Sequence, residues 1–414
     1  MRFLLAAMGS HGDVHPFIGI AQALQRDGHQ VRLAAQAAFA DLIEAAGVTP
    51  VPVGAVDDYA KLAADPDLWH PRRGAEVVWR TVLDTLGPAY DALDAAATAM
   101  GGEVTMVSST LAWAGLILAE ARGLRSASVH LQPVVFYSTE AMPLLPGVPP
   151  IVRRLPRSFK ARFYDGADRY ALDPKIAPRL NAFRAEKGLP AVSGVMRGFI
   201  HAPDLVLGMW PAWYAPPASD WPGQVELAGF PLYDEADVTP LPADVAAFLD
   251  EGEPPVAFTP GSAMTQGGRF FRAAADACRL NGCRGLLLTR HPEQVPPDLP
   301  PGVRHVAYAP FGSLLPRCRA LVHHGGIGTA SQALKAGCPT VVVPMSHDQF
   351  DNADRLQKLG GSVTLKPRWL TGRRLAAKLR RVLDAPATDA ATAGSRRRLA
   401  DENGCATAAE LLAG

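Results

Sequence analysis

The feature that most constrains this chain is a glycine-rich turn between a short apolar run and a helical pattern. Residues 323–329 read His-His-Gly-Gly-Ile-Gly-Thr, directly after the apolar residues 320–322. A strand that ends in such a turn and leads into a helix gathers several backbone N–H groups at one point, with the positive end of the helix dipole behind them. The pattern therefore predicts a phosphate site. A glycine-rich turn that holds no ligand is the alternative.

The spacing of this turn excludes two common phosphate motifs. No Lys-Ser or Lys-Thr pair follows the glycines, as a mononucleotide P-loop requires, and the spacing is not GxGxxG. Near the amino terminus, Gly9 and Gly12 lack a third glycine, and no acidic residue stands on the second strand, which argues against an NAD-dependent dehydrogenase. A histidine beside two glycines, with Thr329 just past the third, indicates a pyrophosphate site instead.

An acid and an amide follow the next apolar run. Residues 340–344 read Thr-Val-Val-Val-Pro, and Asp348 and Gln349 come shortly after them. The carboxyl ends of parallel strands meet at one edge of a sheet, so this pair is expected beside the phosphate site. Carboxylates accept hydrogen bonds and amides both donate and accept, which suits sugar hydroxyls. A solvated loop has a similar composition, so the pair alone leaves that alternative open.

Three segments resemble a known family. The run from Tyr308 to Gln349 resembles the donor-binding signature of glycosyltransferase family 1, whose members have the two-domain GT-B fold. Residues 9–16, Gly-Ser-His-Gly-Asp-Val-His-Pro, resemble the acceptor-side loop of its bacterial and sterol branch. Residues 210–232, rich in Trp and Pro, are similar to the rhamnosyltransferases of rhamnolipid synthesis. With residues 67–69, these matches follow the expected order along most of the chain.

The resemblance implies an α/β protein with the GT-B fold. Two doubly wound, Rossmann-like parallel-sheet domains would face each other across a cleft. Residues 1–225 would form the acceptor-binding domain and residues 226–414 the domain that binds the nucleotide sugar, with the last helix able to pack back on the first domain. A length of 414 residues and 48% hydrophobic content agree with two cores.

The resemblance also implies a donor site. The phosphates would be bound by five residues: Ser262, His324, Gly326, Gly328 and Thr329. The nucleobase would stack on Tyr308 and pair with the backbone near Ala309 and Phe311, although a core tyrosine is the alternative for Tyr308. The sugar would contact Asp348 and Gln349. The nucleotide sugar would be the co-substrate, and no further cofactor is expected. No metal is expected either, because no DxD motif follows a predicted strand.

The acceptor hydroxyl must lose a proton, and Asp13 is the candidate base. His11 is the second candidate catalytic residue, and His15 flanks Asp13 on its other side. Structurally, Asp13 would cap a helix that begins at Pro16, a role compatible with catalysis.

The expected activity is inverting, metal-independent transfer of a sugar to a hydrophobic acceptor. The resemblance favours L-rhamnose from dTDP-L-rhamnose and a hydroxyacyl lipid. A UDP- or dTDP-hexose transferred to a polyketide, sterol or other natural product is the alternative. A nucleotide-sugar epimerase and a non-catalytic binding relative remain as further readings.

Composition limits the partners. The net charge of +1 gives no reason to expect nucleic-acid binding. The five cysteines lack the spacing of metal ligands, which indicates a reduced, cytoplasmic protein. A monomer or a homodimer is expected. The apolar start, residues 1–8, predicts a first strand and not a signal peptide. Residues 151–180 are basic and amphipathic, which favours either peripheral contact with the inner membrane or a solvated helix face.

Strands are expected to alternate with helices in both halves of the chain. The first helix would begin near Pro16 and end at Gly28. Residues 210–238 would connect the domains, residues 384–393 would form a flexible connector, and residues 406–412 a final helix. Further strands are predicted in two series: 30–34, 104–107, 126–129 and 205–207, then 256–260, 285–289, 303–307, 320–322 and 340–343.

Overall fold

The computed structural model describes residues 1–234 and 239–414, which divide into two compact units. The first unit comprises Met1–Leu68, Arg72–Tyr233 and Asn403–Gly414, and the second comprises Trp69–Pro71 and Asp234–Glu402. The end of the predicted interdomain connection, residues 235–238, lies outside the described residues.

The first unit is built on a parallel sheet, with seven strands among the described residues in the order β3-β2-β1-β4-β5-β6-β7. Every strand pairs in parallel with its neighbour, so helices cover both faces and the strands are apolar. The strands are β1 (Arg2–Ala6), β2 (Gln30–Gln36), β3 (Thr49–Val53), β4 (Val104–Ser109), β5 (Ser126–His130), β6 (Leu205–Gly208) and β7 (Val225–Leu227). The helices are α1 (His11–Arg26), α2 (Ala40–Ala45), α3 (Asp58–Ala64), α4 (Gly74–Asp84), α5 (Leu86–Met100), α6 (Trp113–Arg122), α7 (Arg157–Ala167) and α8 (Asp173–Glu186).

Helix α1 begins five residues earlier than the sequence predicts. Its first residue is His11, and Pro16 lies inside the helix instead of opening it. Ser10, with extended backbone angles, provides the N-cap. The helix ends at Arg26, and Gly28 takes a positive φ of 82° immediately after it, as expected for a helix terminus.

The segment expected to connect the domains is part of the first unit. Trp210 and Phe230 are fully buried, and strand β7 adds to the sheet edge beside β6. The expected boundary after residue 225 would therefore cut through β7, and the units divide after Tyr233 instead. The many Trp and Pro residues of this segment and its lack of periodicity are typical of a linker. In the structure, however, Trp210 and Phe230 pack in the core.

The second unit repeats the plan. Its described residues form a six-stranded parallel sheet in the order β10-β9-β8-β11-β12-β13. The strands are β8 (Val256–Thr259), β9 (Gly285–Leu288), β10 (Val303–Val306), β11 (Ala320–His323), β12 (Thr340–Val342) and β13 (Ser362–Thr364). The helices are α9 (Ala243–Asp250), α10 (Gly268–Asn281), α11 (Phe311–Leu314), α12 (Ile327–Ala336), α13 (Gln349–Lys358), α14 (Gly372–Leu383) and α15 (Pro386–Arg398).

The predicted flexible connector over residues 384–393 is wrong, since α15 occupies most of it. Pro386 opens this helix, a position that suits its fixed φ. The buried residues of α15 are Thr388, Thr392 and Ser395, so its packed face is polar. Because no apolar stripe marks the helix, the periodicity of the sequence does not reveal it.

The C-terminal helix α16 (Gly404–Ala413) belongs to the first unit, where it packs on α1. Gly404 lies so close to the backbone of Gly229 and Phe230 that a Cβ would collide with both. A Cβ at Gly19 of α1 would meet Cys405 Sγ at 2.6 Å. Gly19 therefore permits the close packing of α1 and α16, and Gly404 permits the close approach of α16 to residues 229 and 230.

Candidate active site

Asp13 is held at the amino terminus of α1 by a reciprocal capping box. Its Oδ2 accepts hydrogen bonds from the N–H of Ser10 at 2.7 Å and from the Ser10 hydroxyl at 3.0 Å, while the N–H of Gly12 donates to that hydroxyl at 3.2 Å. Gly9 has φ of 139°, and a Cβ there would collide with the Asp13 carboxylate. Glycine is therefore required at position 9 if Asp13 is to keep this place.

The environment of Asp13 suits a proton acceptor. Burial is the largest influence and raises the pKa of Asp13 above its usual 3.8, although the two hydrogen bonds from Ser10 act in the opposite direction. A carboxylate with a raised pKa is the stronger base. Because both bonds from Ser10 go to Oδ2, the capping role leaves the second carboxylate oxygen outside the box.

His11 packs in an aromatic cluster. Residues four apart on a helix share a face. The ring of His11 accordingly lies 5.8 Å from that of His15 and 4.9 Å from that of Phe39, in edge-to-face contact with both. This cluster also includes Tyr59. A catalytic role of His11 with Asp13 stays a prediction.

His324 lies in the loop between β11 and α12, packed against two glycines. A Cβ on Gly261, in the loop after β8, would lie 2.9 Å from the His324 ring, and a Cβ on Gly326 would collide with its Nε2. Burial lowers the pKa of His324 to about 4, so the ring is neutral at pH 7. Its Nδ1 is buried and has no hydrogen-bond partner among the described residues. An unsatisfied buried ring nitrogen of this kind fits a ligand contact.

His323, the neighbouring histidine, has a structural role. It is fully buried, and its Nδ1 accepts a hydrogen bond from the N–H of Gly325 at 3.2 Å. Gly325 takes φ of 97°, and a Cβ there would meet Val342 and the carbonyl of Gln349. His323 thus shapes the turn through Nδ1, while its Nε2, like Nδ1 of His324, is buried without a hydrogen-bond partner in the described structure.

The remaining phosphate residues surround the start of α12. Gly326 is the N-cap of this ten-residue helix, so the N–H groups of the first turn lack partners within the helix. Gly328 is exposed, and a Cβ there would have open space around it. Ser262 is also exposed and follows Gly261, whose position beside His324 brings the β8 loop to this turn.

Asp348 is the N-cap of α13 and Gln349 its first residue, and the side chains of both accept hydrogen bonds within the second unit. Asp348 accepts a hydrogen bond from Asn352 Nδ2 at 2.6 Å, and the same amide nitrogen donates to the Gly325 carbonyl at 2.9 Å. Gln349 is 2% exposed, and its Oε1 accepts from the N–H groups of Met345 and Ser346. Gln349 therefore chiefly shapes the loop, and any sugar contact would use its amide nitrogen.

At the other end of the sheet edge, Tyr308 follows β10. The Arg290 guanidinium lies 5.0 Å from the centre of the Tyr308 ring, in a cation–π contact. Ala309 is 5% exposed within an apolar cluster, and Phe311 is the first residue of α11. The Tyr308 ring is therefore partly buried and is not a core tyrosine, although Arg290 occupies part of its surroundings.

All these loops follow the carboxyl ends of adjacent strands. Tyr308 follows β10, Arg290 follows β9, Ser262 follows β8, His324 follows β11, and Asp348 follows β12. Strands β10 and β12 are four steps apart, about 19 Å at the usual strand spacing. An extended ligand lying along this edge would meet an aromatic ring first, then the glycine turns, then an acid and an amide.

Sequence reasoning missed three contributors. Arg290 comes after a predicted strand and could have been found by that position alone. Gln294, 7% exposed, accepts from the N–H of Gly267 and donates to the carbonyl of Met264 at 2.9 Å, which orders the Ser262 loop. Trp69, which clusters with the second unit, lies 5.7 Å from the ring of His347. No local sequence pattern marks Gln294 or Trp69.

The basic stretch after residue 151 is used largely for internal contacts. Lys160 is 5% exposed and donates to the carbonyl of Thr139, Arg157 pairs with Glu140, and Arg153 donates to the carbonyl of Met142. These bonds tie α7 and the turn before it to the loop around residue 140. Peripheral membrane contact stays a prediction, as does the oligomeric state.

Among the described residues, no cluster of three His, Cys, Asp or Glu side chains is placed to hold a metal ion. No helix in the described ranges combines the length and apolar character needed to cross a membrane. The five cysteines are free thiols, and Cys278, Cys338 and Cys405 are buried.

Known proteins resemble the chain over its whole length. Residues 3–135 match the glycosyltransferase family 28 N-terminal domain. Residues 287–410 match the C-terminal domain of proteins like the erythromycin biosynthesis protein CIII. The O-mycaminosyltylonolide 6-deoxyallosyltransferase of Streptomyces fradiae is 32% identical, with 97% of this chain and 93% of that protein covered. The vancomycin aglycone glucosyltransferase of Amycolatopsis orientalis is 30% identical, with 100% and 97% covered. A solved structure, the glycotransferase of kitacinnamycin, superposes with a TM-score of 0.77 at 22% identity and covers 100% of this chain and 98% of that one.

These findings define a glycosyltransferase with the GT-B fold, as the resemblance implied. The chain belongs to the family of glycosyltransferases that includes the O-mycaminosyltylonolide 6-deoxyallosyltransferase and the vancomycin aglycone glucosyltransferase, and its co-substrate is a nucleotide sugar. A particular closeness to the rhamnolipid enzymes is not found among these matches.

Proposed function

We propose that this protein is an inverting glycosyltransferase that moves a 6-deoxyhexose from a dTDP donor to a hydroxyl of a hydrophobic natural product. The observation that carries the proposal is the row of loops along the carboxyl edge of the second sheet, from Tyr308 to Asp348. Its order fits a nucleotide sugar, with base, diphosphate and sugar in sequence. L-rhamnose is the first 6-deoxyhexose to test.

The chemistry follows from the groups at the two sites. Asp13 takes the proton of the acceptor hydroxyl as its oxygen bonds to the anomeric carbon. The bond between that carbon and the diphosphate breaks, and the nucleoside diphosphate leaves with the electron pair. His324 and the N–H groups at the start of α12 stabilise the charge that develops on it. One displacement at the anomeric carbon inverts its configuration.

Charge neutralisation without a metal is part of the proposal. The His324 ring nitrogen and the amides of Gly326, Gly328 and Thr329 supply hydrogen-bond donors, and the α12 dipole adds positive potential. Ser262 adds a hydroxyl from the facing loop. Transfer is therefore expected to persist in EDTA.

A 6-deoxy sugar is favoured by the surroundings of Asp348. The Trp69 ring packs against His347, directly before Asp348, and thus provides an apolar surface at the sugar end. The Streptomyces fradiae relative is by name a 6-deoxyallosyltransferase. Apolar recognition of one methyl group discriminates by only about 1–3 kcal/mol, so hexose donors are expected to be poor substrates and not to be excluded.

The acceptor is inferred to be a natural product and not a hydroxyacyl lipid. The two relatives act by name on O-mycaminosyltylonolide and on the vancomycin aglycone. The sequence likeness to the rhamnolipid enzymes, which favours a lipid acceptor, lies in residues 210–232. Trp210 and Phe230 of this segment are core residues, so we attribute the likeness to packing and not to acceptor specificity.

The test has a binding stage and a transfer stage. Thermal shifts with dTDP-L-rhamnose, other dTDP-6-deoxyhexoses, dTDP-glucose and UDP-glucose identify the donor, because stabilisation grows with occupancy. Mass spectrometry then follows transfer to a macrolactone, a glycopeptide aglycone, a sterol and a 3-hydroxyacyl compound, with and without EDTA. Faster transfer from UDP-glucose, or transfer to the hydroxyacyl compound alone, would overturn the proposal. Epimerised donor without transfer would indicate the epimerase reading.

A further inference from the structure

A buried chain of hydrogen bonds ends at Thr110, on the same sheet edge as Asp13. The Thr110 hydroxyl lies 2.8 Å from Nδ1 of His130, Nε2 of His130 lies 3.0 Å from Nδ1 of His201, and Nε2 of His201 lies 3.3 Å from the carbonyl oxygen of Val135. His130 is 0% exposed and His201 is 5% exposed. We refer to Thr110, His130, His201 and the Val135 carbonyl as the histidine relay.

Both histidines of the relay are neutral. Burial lowers the pKa of His130 well below its usual 6.5, with His201 beside it acting in the same direction, and burial lowers the pKa of His201 to about 4. Each ring therefore carries a single proton at neutral pH, on one nitrogen only.

The Val135 carbonyl determines where those protons are. A carbonyl oxygen only accepts, so His201 carries its proton on Nε2 and its Nδ1 is an acceptor. His130 must then donate through Nε2, which leaves its own Nδ1 as an acceptor. Thr110 is the only group left to donate in that last contact, so its hydroxyl proton points at His130.

The consequence is a fixed polarity at Thr110. A hydroxyl whose proton is engaged offers only its lone pairs to other groups. Thr110 is partly exposed and follows β4, the strand next to β1, and Asp13 lies in the first turn of α1, the helix that follows β1. The two loops are joined by a hydrogen bond from the N–H of Met8 to the hydroxyl of Ser109 at 3.2 Å. Thr110 therefore presents an acceptor oxygen at the edge where Asp13 takes a proton.

We propose that the Thr110 hydroxyl oxygen binds a second hydrogen-bond donor on the acceptor substrate, next to the hydroxyl that is glycosylated. The reacting hydroxyl has one proton and gives it to Asp13, so Thr110 needs a different donor group. The substrate class is thus a hydrophobic compound with two neighbouring hydroxyls, or a hydroxyl beside an N–H. Thr110 is a specificity-determining contact, and His130 and His201 are positioning residues. This inference rests on the proposed acceptor role of the Asp13 edge.

The histidine relay is not a route for the proton itself. A proton passed along it would leave a charged imidazole at His201, which burial disfavours. The arrangement fixes the orientation of one hydroxyl. It therefore affects the affinity for the substrate and not the rate of the chemical step.

Three naphthalene probes distinguish the polarity of Thr110. They are 2-naphthol, 2,3-dihydroxynaphthalene and 3-methoxy-2-naphthol, and calorimetry measures their binding in the presence of dTDP. The wild type is expected to bind the diol about tenfold more tightly than 2-naphthol, as for one hydrogen bond to an otherwise unsatisfied group, and to disfavour the methoxy compound. Thr110→Ser should keep this preference, and Thr110→Val, which has the same shape without the hydroxyl, should lose it.

His201→Phe tests how far His201 fixes this polarity. The His201 ring already stacks on Phe136 at 4.9 Å, so a phenyl ring fits the place. The variant removes one acceptor for the His130 proton, whereas the backbone of Ile200, which also hydrogen-bonds this ring, remains. The preference for the diol over the methoxy compound should therefore be weaker than in the wild type and should not reverse.

Nitrogen-15 NMR of the wild type tests the histidine relay without any ligand. Both His130 and His201 should show protonated Nε2 and unprotonated Nδ1. A proton on His130 Nδ1, a diol preference that survives in Thr110→Val, or failure of all three probes to bind would each overturn the proposal. If the probes behave as expected while no donor produces transfer, the proposed function fails and the acceptor contact stands.

Discussion

The carboxylate of Asp13 accepts both the N–H and the hydroxyl of Ser10, at 2.7 and 3.0 Å, through the same oxygen. The expectation that Asp13 caps a helix beginning at Pro16 is wrong in position: the helix begins at His11, its N-cap is Ser10, and Asp13 is the third helical residue, which completes the capping box. Capping and base catalysis are compatible because they use different properties of the residue. The cap fixes the position of the carboxylate, and burial raises its pKa.

Asp13→Asn is expected to remove most transfer while donor binding survives. The asparagine oxygen still accepts from Ser10, so the start of α1 should remain folded, but the amide cannot take a proton. Loss of a general base lowers turnover by about two to four powers of ten. Steady-state kinetics and the thermal shift with dTDP measure the two effects. A variant that keeps a tenth of the wild-type turnover would show that Asp13 is not the base.

Ser10→Ala is the matched control for the cap. It removes one of the two bonds to Asp13 and the acceptor for the N–H of Gly12. A lost N-cap costs about 1 kcal/mol of stability. Turnover should fall far less than in Asp13→Asn, and equal losses would mean that position, and not basicity, is what matters at residue 13.

The pH dependence of transfer offers a separate prediction for Asp13. The residue acts as a base only when ionised, so kcat/KM for the acceptor should fall as the pH is lowered through its pKa. Because burial raises that pKa, the fall should be centred above 3.8. Rates measured from pH 4 to 8 in wild type and Asp13→Asn check this. An acid limb of the same midpoint in the residual activity of the variant would assign it to another group.

The donor edge could be predicted from the sequence because its signals are local. A strand, a glycine turn and a helix follow one another within residues 320–336, and the strand–loop order places Ser262 and Asp348 on the same edge. The histidine relay could not be predicted in this way. Its members are separated by 20 and 71 residues, and no motif links them. Likewise, the aromatic contacts of His11 with Phe39 and Tyr59 join residues that no motif links.

The strands that the sequence did not predict are edge strands. Strand β3 contains Pro50 and Pro52, which argue against a strand by propensity yet are tolerated at an edge. Strands β7 and β13 have three residues each and also close their sheets. Central strands carry long apolar runs and were predicted at nearly their observed positions.

His324→Ala is expected to weaken the binding of nucleoside diphosphate as well as of the intact donor. The ring faces the phosphate turn with a buried nitrogen that lacks a partner in the described structure, and both ligands share the diphosphate. A hydrogen bond of this kind contributes about 1–3 kcal/mol. Calorimetry with dTDP and UDP measures the loss, and His324→Gln, which retains a donor, should recover part of it. Unchanged affinity in the alanine variant would contradict the role of His324.

Gly328→Ala separates ligand binding from folding. Position 328 has open space for a Cβ and lies in the first turn of α12, where alanine is favoured over glycine by up to about 1 kcal/mol. The melting temperature without ligand should therefore stay the same or rise. A methyl group in the phosphate site should nevertheless weaken dTDP binding at least tenfold. Intact affinity would mean that the diphosphate does not approach this glycine.

Acid is expected to destabilise the protein through its buried histidines. Burial lowers the pKa of His201 and His324 to about 4 and that of His323 to about 3, whereas an unfolded histidine titrates near 6.5. Below pH 6.5 the unfolded chain binds more protons than the folded one, so stability falls as the pH falls, until the folded-state pKa is reached. Each such histidine contributes about 1.4 kcal/mol per pH unit within that window.

Urea unfolding at pH 7.5, 6 and 5 should show midpoints that become lower as the pH is lowered. His201→Phe should have a shallower slope, since one of these histidines is gone. Equal slopes in the two proteins would mean that His201 becomes protonated without unfolding.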